Sequence, residues 1–463
     1  MLSRTRPQDA PERVGERDGS LQRALAFVAL AGLVALTRVW QIEGRGVLWW
    51  NDSADFLASA RTGLFSLERW AGPRTAAAPL ILSLARFEPR TYVTWQAAVA
   101  AVCWGALAFA VWTVVGGRWA RWIAALAVVA FSCTVPVMMW ERSVLSESLA
   151  ASTLALTLAA CLRLAQGVTG PRVAAVLAAL ALWLLTRDTH ASVALVAAVA
   201  LAVGLVAAAR RGIGGPDDPS AGRFSLLIVV ACGLFILGVF ALAAASYGNR
   251  YAYPLRNVFE VRVLPYPDRV AWFADHGMPQ AERFVGPDAL EPVVNGGQAP
   301  VTYVADDDPT LQEWLAWVQR DGRRALATWV ATHPAYLVTE PMRNPERTFN
   351  NALGDRSYYA PLDQREVPLV TDVLAPSPLV ALAVAFVVAA WATLRRRWLS
   401  PLLLVGAVTV ALAVPHGLVS WHSDGMETAR HLFVPVLQVH LGVLLMLIGA
   451  LRLWREPDVA SPG

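Results

Sequence analysis

Asp52 and Asp55 lie three positions apart in the segment VLWWNDSADFLASART, directly after a long apolar run. A carboxylate that is ionised at neutral pH and lies within hydrogen-bond reach of a hydroxyl can act as a general base. An aspartate at the water edge of a protein-lined cavity meets both conditions, and such groups cluster at functional sites. The segment is therefore either a reaction centre built on one of these aspartates or a solvated loop.

Three further segments place charged residues at the ends of apolar runs. They are RSVLSESLA (142–150) with Glu147 and the preceding Glu141, LLTRDTHA (184–191) with Arg187 and Asp188, and HSDGMETARHLFVP (422–435) with Glu427, Arg430 and His431. Because these residues follow different apolar runs, they could line one cavity together with Asp52.

Each of these segments also has a structural interpretation. Glu147 fits the first turn of a helix capped by Ser146. Arg187 and Asp188 fit a structural ion pair near the membrane, where ionisable residues are costly and usually functional. A metal site could be assembled from four residues of the last segment, namely His422, Asp424, Glu427 and His431, but their spacing matches no established metal-binding motif.

The composition is that of a polytopic membrane protein. The 463 residues are 56% hydrophobic and only 16% charged, and the mean hydropathy is +0.45. All 39 basic residues counted as Lys or Arg are arginines, which excludes lysine chemistry. The net charge of +4 includes no dense basic tract, so a lipid or lipid-linked anion is a better partner than nucleic acid. The cysteines lie in apolar runs and indicate neither disulfides nor a thiolate metal site: Cys103, Cys133, Cys161 and Cys232.

Ten apolar runs are long enough to be candidate membrane spans, since about 20 residues cross the hydrocarbon layer. They are 21–42, 92–116, 119–139, 145–166, 172–187, 188–209, 224–246, 377–394, 398–420 and 431–452. The fifth and sixth share a very short turn, so a re-entrant hairpin is the alternative for 172–209. The first 20 residues are polar and show no small-residue cleavage site, which favours a retained anchor over a signal peptide.

Arginines decide the predicted orientation. A cytoplasmic N-terminus places on the inner side Arg118, Arg121, Arg163, Arg172, Arg210, Arg211, Arg223, Arg395 to Arg397, Arg452 and Arg455. All four acidic segments then fall on the outer side of the plasma membrane, although only arginines were used to assign the sides.

The predicted organisation has five parts. They are a cytoplasmic tail (1–20), a module of about seven spans (21–246) with an outer loop (43–91), a loop-heavy extracytoplasmic domain (247–376), a module of about three spans (377–452) and a second cytoplasmic tail (453–463). Apolar residues at three- and four-residue steps predict helices over 56–70 and 311–337 that lie at the membrane interface or pack on a soluble domain.

The first acidic segment resembles the integral-membrane glycosyltransferases of the GT-C fold, which include lipid A aminoarabinose transferases, protein O-mannosyltransferases and bacterial enzymes that use polyprenyl-phosphate sugars. The matching features are Asp52 after the first span, Phe56, the pair Ala60 and Arg61, and PRTAAAPL (73–80). The segments 142–150, 332–337 (THPAYL) and 422–435 are similar to further family motifs. Phe56 replaces a more common tyrosine, and Ser53 stands where glutamate often follows the acid.

The resemblance implies an all-α polytopic protein of about ten spans that moves a sugar from a polyprenyl-phosphate donor to an extracytoplasmic acceptor with inversion. It nominates Asp52 and Glu147 as catalytic, with Asp52 as the base. The candidates for binding the donor phosphate are Arg430, Arg187, Arg74 and Arg142, because guanidinium groups bind phosphate oxygens bidentately. The other cavity candidates are Asp55, Glu141, Asp188, Glu427 and His431. The partners are membrane lipid, the lipid-linked donor and the acceptor; dependence on a divalent metal stays open.

Three other functions fit parts of the pattern. A polymerase or ligase with diphospho-lipid donors would share the site. A secondary transporter predicts inverted repeats and polar groups near the midplane of the membrane. A membrane scaffold predicts scattered outer acids. For the enzyme, we predict that Asp52, Glu147, Asp188, Glu427 and Arg430 converge on one outward-facing cavity and that 311–337 packs at its mouth.

Overall fold

The computed structural model describes residues 14–211, 213, 220–285, 309–343, 365, 368–395, 397–398, 400–425 and 428–455. The helices in the first half are α1 (Val14–Ile42), α2 (Asn51–Ala60), α3 (Leu67–Ala71), α4 (Ala77–Leu84), α5 (Pro89–Val114), α6 (Arg118–Ser132), α7 (Val135–Met138), α8 (Glu147–Ala165), α9 (Gly170–Leu184), α10 (Thr189–Arg210) and α11 (Ala221–Tyr247). Those in the second half are α12 (Ala252–Arg262), α13 (Pro267–Asp275), α14 (Gln312–Trp317), α15 (Arg323–Thr332), α16 (Tyr336–Met342), α17 (Pro368–Leu374), α18 (Pro378–Leu394), α19 (Pro401–Ser423) and α20 (Thr428–Arg455). No β-strand occurs within these ranges.

Seven of these helices are long and apolar enough to cross a membrane: α1, α5, α8, α10, α11, α19 and α20. The predicted all-α membrane class is thereby confirmed for the described residues. Three of the ten predicted spans correspond to shorter helices, α6 and α9 with 15 residues and α18 with 17. At 1.5 Å per residue, a 15-residue helix is only about 22 Å long. The count of ten spans therefore stays a prediction.

The long helices form one bundle, with α5 packed on α1, α6 and α8 and with α19 packed on α10 and α20. At one end of the bundle, Arg452 of α20 donates to the Val114 carbonyl of α5 at 2.7 Å. At the other end, Arg430 of α20 forms an ion pair with Glu147, the first residue of α8. We call this second end the site end.

The alternative of a re-entrant hairpin over 172–209 stays a prediction, as does the alternative of two full spans. Helix α9 packs mainly on α8 and α11, whereas α10 packs mainly on α11 and α19. The two helices therefore pack mainly on different neighbours and are joined by the turn at Arg187 and Asp188.

Two glycines allow α19 and α20 to approach closely. A β-carbon added at Gly406 would lie 2.6 Å from the Gly442 carbonyl oxygen, and one at Gly442 would lie 2.7 Å from the Gly406 carbonyl oxygen. Small residues at such crossings bring helix backbones into van der Waals contact inside membranes. This crossing fixes α20, which carries Arg430 and His431, against α19.

The predicted outer domain is helical in its described parts rather than loop-heavy. Helices α12 to α15 surround an aromatic core that includes Phe259, Phe273, Trp314 and Trp317. The helical prediction for 311–337 is largely confirmed: α14 continues through a π-helical turn (Val318–Gly322) into α15, and α16 begins at Tyr336 after a break at 333–335. This segment reaches the site end at His422, whose Nε2 lies 3.0 Å from the Leu337 carbonyl oxygen.

The predicted single helix over 56–70 is wrong. Helix α2 ends at Ala60, and α3 begins at Leu67 after the N-cap residue Ser66. Buried Arg69 donates to the Ala60 carbonyl at 2.6 Å and to the Pro79 carbonyl at 2.9 Å. The apolar periodicity missed this break because the carbonyl groups freed at the end of α2 are satisfied by a side chain from the next helix.

Candidate functional site

Asp52 sits in the first turn of α2, and the start of this helix is tied to the segment before α8. The Leu48 amide donates to the Arg142 carbonyl at 2.8 Å, and the Val144 amide donates to the Leu48 carbonyl at 3.1 Å. Ser53 Oγ donates to the Val144 carbonyl at 3.0 Å. These bonds set the position of Asp52 relative to Glu147. The sequence singled out Ser53 only as a departure from the family pattern.

Six side chains then form a continuous run of ion pairs, which we call the charge network: Asp55, Arg74, Asp52, Arg430, Glu147 and Arg187. Acidic and basic groups alternate along it. Arg74 pairs with both aspartates and lies 2.9 Å from Asp52 Oδ1. Arg430 joins Asp52 Oδ2, at 2.7 Å, to Glu147. Residues from four distant parts of the chain, all nominated from the sequence, thus meet at the site end.

The charge network runs from the surface into the interior of the bundle. The side chain of Asp55 is 60% exposed and that of Asp52 is 28% exposed. Arg430 is 6% exposed, and Glu147 is fully buried. A substrate arriving from solvent would therefore meet Asp55, Arg74 and Asp52 first.

Asp52 is held in its ionised form. Burial is the largest single influence on its pKa and raises it, but Arg430 and Arg74 together outweigh burial through their charges and hydrogen bonds. The net result is a pKa below the ordinary value for aspartate. The carboxylate is thus charged at neutral pH, as a general base must be.

The predicted convergence of five residues is met in part. Arg430 contacts both Asp52 and Glu147 and so brings these three residues together. Asp188 instead pairs with Arg250 at 2.8 Å. Glu427 lies outside the described residues.

Arg250, which the sequence analysis missed, braces the loop that carries Arg74. Its guanidinium donates to the Gly72 carbonyl at 2.6 Å and to the Trp70 carbonyl at 3.1 Å while it pairs with Asp188. On the other side of this loop, Thr75 Oγ1 donates to the Thr186 carbonyl at 2.9 Å. Asp188 is therefore linked to the site indirectly. It pairs with Arg250, and Arg250 holds the backbone of Trp70 and Gly72, which precede Arg74.

Glu141 and Arg142 make other contacts. Glu141 is buried and pairs at 3.0 Å with Arg38 of α1. Arg142 is buried and donates to the Gly46 carbonyl at 3.3 Å. Glu141 thus joins α1 to the segment before α8, and Arg142 joins the loop after α1 to the same segment.

Three of the four residues of the hypothetical metal site lie in the described ranges, and two of these three contact each other. His431 Nε2 lies 3.1 Å from Asp424 Oδ2, whereas His422 binds the Leu337 carbonyl. Glu427 is not described. Over the described ranges, no group of three or more His, Cys, Asp or Glu side chains is arranged to hold a metal ion.

Two shallow apolar depressions on the surface lie away from the charge network. One is lined by Ala202, Val203 and Val206 near the end of α10, and the other by Leu21 and Trp122 of α1 and α6. Both are towards the end of the bundle opposite the site end. The outward-facing cavity around the acidic residues stays a prediction.

Gly248 allows the end of α11 to touch the loop that carries Arg74. A β-carbon at Gly248 would lie 2.1 Å from the Gly72 carbonyl oxygen and 2.6 Å from that of Ala71. We expect Gly248→Ala to lower the free energy of unfolding by about 1 to 3 kcal/mol, since backbone must move to admit the methyl group. Thermal unfolding in detergent measures the loss.

Gly222, near the start of the same helix, provides the matched control because a β-carbon there meets nothing within 4 Å. We expect Gly222→Ala to be neutral or stabilising by up to about 1 kcal/mol. Equal unfolding temperatures for the two variants would show that the end of α11 is not in close contact with the backbone of Ala71 and Gly72.

No protein-family model matches the chain, and no curated protein is significantly similar to it. The function must therefore be argued from the residues and their geometry.

Proposed function

We propose that this protein is an inverting membrane glycosyltransferase of the GT-C type, which moves a sugar from a polyprenyl-phosphate donor to an acceptor outside the plasma membrane. The observation that carries the proposal is the environment of Asp52. This partly exposed carboxylate is kept ionised between two guanidinium groups, those of Arg74 and Arg430. It is also the residue that the family resemblance nominates as the base.

The proposed reaction is a single displacement. Asp52 accepts the proton of the acceptor hydroxyl while the hydroxyl oxygen bonds to the anomeric carbon. The bond from that carbon to the phosphate oxygen breaks, and polyprenyl phosphate leaves. Glycosyl transfer passes through a state with positive charge on the sugar. Because the lipid phosphate is already a good leaving group, one base and cations for the phosphate suffice, and the anomeric configuration inverts.

Arg74 and Arg430 are the proposed phosphate ligands. Arg74 is 28% exposed, so an incoming phosphate can reach it, and Arg430 lies next in the charge network. A phosphate that takes over these two guanidinium groups leaves the Asp52 oxygens free to accept a proton. One such electrostatic contact contributes about 3 kcal/mol to transition-state stabilisation, or about a hundredfold in rate.

Glu147 has a supporting role in this proposal instead of the predicted catalytic one. It is fully buried and paired with Arg430, and its Oε1 lies 3.6 Å from Arg187. A carboxylate in that position holds the two arginines and does not touch a substrate. Arg187, 9% exposed, is likewise a support for Arg430.

The proposed topology has ten spans, in which α6, α9 and α18 complete the seven long helices. The arginines at the end of the bundle opposite the site end support a cytoplasmic location for that end: Arg118, Arg121, Arg163, Arg172 and Arg210. Asp52 then faces the outer side, where the head group of the donor would lie while its tail runs between lipid-facing helices.

A panel of radiolabelled polyprenyl-phosphate sugars tests the proposal. Purified protein in lipid nanodiscs is incubated with each donor and with an extract of cell-envelope acceptors. We expect one donor to lose its label to a product that no longer partitions with the lipid. Retention of the label by every donor in the panel would overturn the proposal, and consumption of diphospho-lipid donors alone would identify a polymerase or ligase.

A further inference from the structure

The turn between α19 and α20 connects the outer helices to the charge network. Its residue Asp424 accepts a hydrogen bond from Asn257 Nδ2 of α12 at 3.0 Å, and its carbonyl accepts one from Arg262 of the same helix at 2.9 Å. The other carboxylate oxygen of Asp424 lies 3.1 Å from His431 Nε2. Asp424 thus joins α12 to the first turn of α20.

The two partners of His431 assign its proton. Nδ1 lies 3.1 Å from a terminal nitrogen of Arg187, and a guanidinium can only donate, so Nδ1 accepts. Nε2 faces the Asp424 carboxylate, which accepts, so Nε2 carries the hydrogen. Both contacts are satisfied only by a neutral imidazole with its hydrogen on Nε2. The described charged groups that face this imidazole are Asp424 and Arg187, with Arg262 behind Asp424.

Arg187 in turn supports Arg430. It donates to the Arg430 carbonyl at 3.1 Å, and it lies 3.6 Å from Glu147, which pairs with the Arg430 guanidinium. The orientation of Arg187 therefore affects both the backbone and the side chain of Arg430, which contacts Asp52.

We infer that His431 is a positioning residue: Asp424 orients its imidazole with the hydrogen on Nε2, and the bare Nδ1 holds Arg187 so that Arg430 stays aligned between Glu147 and Asp52. This inference deepens the proposed function and rests on it for the identity of the reacting groups. Because His431 is only partly exposed and its Nδ1 is occupied by Arg187, it acts through Arg187 and not on substrate.

Two near-isosteric variants separate the two contacts of the imidazole. His431→Asn places an amide oxygen near the position of Nδ1, so it retains the contact with Arg187. His431→Gln places its amide nitrogen near the position of Nε2, so it retains only the contact with Asp424. We expect sugar transfer by the Asn variant within about threefold of the wild type and transfer by the Gln variant lower by about tenfold to a hundredfold. Equal losses in both variants would overturn the inference.

A spectroscopic readout keeps the inference separate from the proposed function. In the full-length protein labelled with ¹⁵N-histidine, the signals of His431 are those that disappear in His431→Asn. At neutral pH we expect a protonated Nε2 and a bare Nδ1, and we expect Asp424→Asn to shift the Nε2 signal. A protein that transfers no sugar but shows this pattern retains the contact and refutes only the proposed function. The opposite tautomer, or an imidazolium, would overturn the inference whether or not sugar is transferred.

Discussion

Asp52→Asn is expected to abolish sugar transfer while leaving membrane expression and donor binding nearly unchanged. Asparagine keeps the shape of the side chain and can accept a hydrogen bond from one of the two guanidinium groups through its single oxygen, but it cannot take the proton of the acceptor hydroxyl. The loss should therefore appear in kcat rather than in KM. Removal of a general base costs about 10²- to 10⁴-fold in rate. Single-turnover assays with the labelled donor measure this loss, and a filter-binding assay measures donor affinity.

Asp55→Asn is the matched control for this substitution. Asp55 lies one helical turn further along α2, is 60% exposed, and shares Arg74 with Asp52. It has no described contact with Arg430, so we expect only a mild effect on transfer. An inactive Asp55→Asn with an active Asp52→Asn would assign the base to Asp55. Full activity in both variants would leave this segment as a solvated loop.

The pH dependence should follow the lowered pKa of Asp52. A depressed pKa means that the carboxylate stays charged as the pH falls through the ordinary aspartate value, about 3.9. Its ion pairs contribute stability above the unfolded-state value, and this contribution is lost as the pH falls through the lower folded-state value. Loss of transfer between pH 5 and 7 therefore has to come from a group other than Asp52.

The charged residues at the ends of apolar runs could be chosen from the sequence because hydropathy and residue type are local properties. Asp52, Glu147, Arg187 and Arg430 were identified in this way, and they form one run of ion pairs. Their common feature is that each lies near the end of a helix, at the site end of the bundle. The seven long helices could also be predicted from the sequence, because a span needs only a sufficient number of apolar residues.

The supporting residues could not be found in the same way. Arg250 contacts Gly72, 178 positions earlier in the chain, and Asn257 contacts Asp424, 167 positions later. No local pattern distinguishes these side chains from other polar residues of a proline-rich segment. The end of α2 was missed for a related reason. The Ala60 carbonyl at this end accepts a hydrogen bond from the Arg69 side chain, which lies beyond the turn. Packing across the chain, and not periodicity, decides such features.

The burial of Glu147 shows what residue type alone does not reveal about its role. An acid at the end of a span was predicted to be catalytic, and its alternative was a place in the first turn of a helix capped by Ser146. The hydroxyl of Ser146 makes no capping hydrogen bond, and Glu147 is enclosed by protein and paired with arginines. Whether such an acid faces substrate or the interior depends on the direction of its side chain, which the sequence does not reveal.

Glu147→Gln should be the most destabilising single change in the charge network. It removes the carboxylate that faces two arginines, Arg430 and Arg187, whose side chains are 6% and 9% exposed. Breaking a buried ion pair by removing one partner costs about 3 to 5 kcal/mol, because the remaining charge is left uncompensated away from water. Thermal and denaturant unfolding in the same detergent measure the loss.

The surface pair of Arg320 and Asp321 is the natural control for Glu147→Gln, because its side chains are 71% and 46% exposed at a separation of 2.8 Å. Asp321→Asn should change the free energy of unfolding by less than about 1 kcal/mol, since water screens an exposed pair. The double variant Glu147→Gln with Arg430→Gln should recover part of the stability lost by Glu147→Gln, because removing both charges avoids an unpaired one. If Glu147→Gln unfolded like Asp321→Asn, Glu147 would not be the buried counter-charge that aligns Arg430 with Asp52.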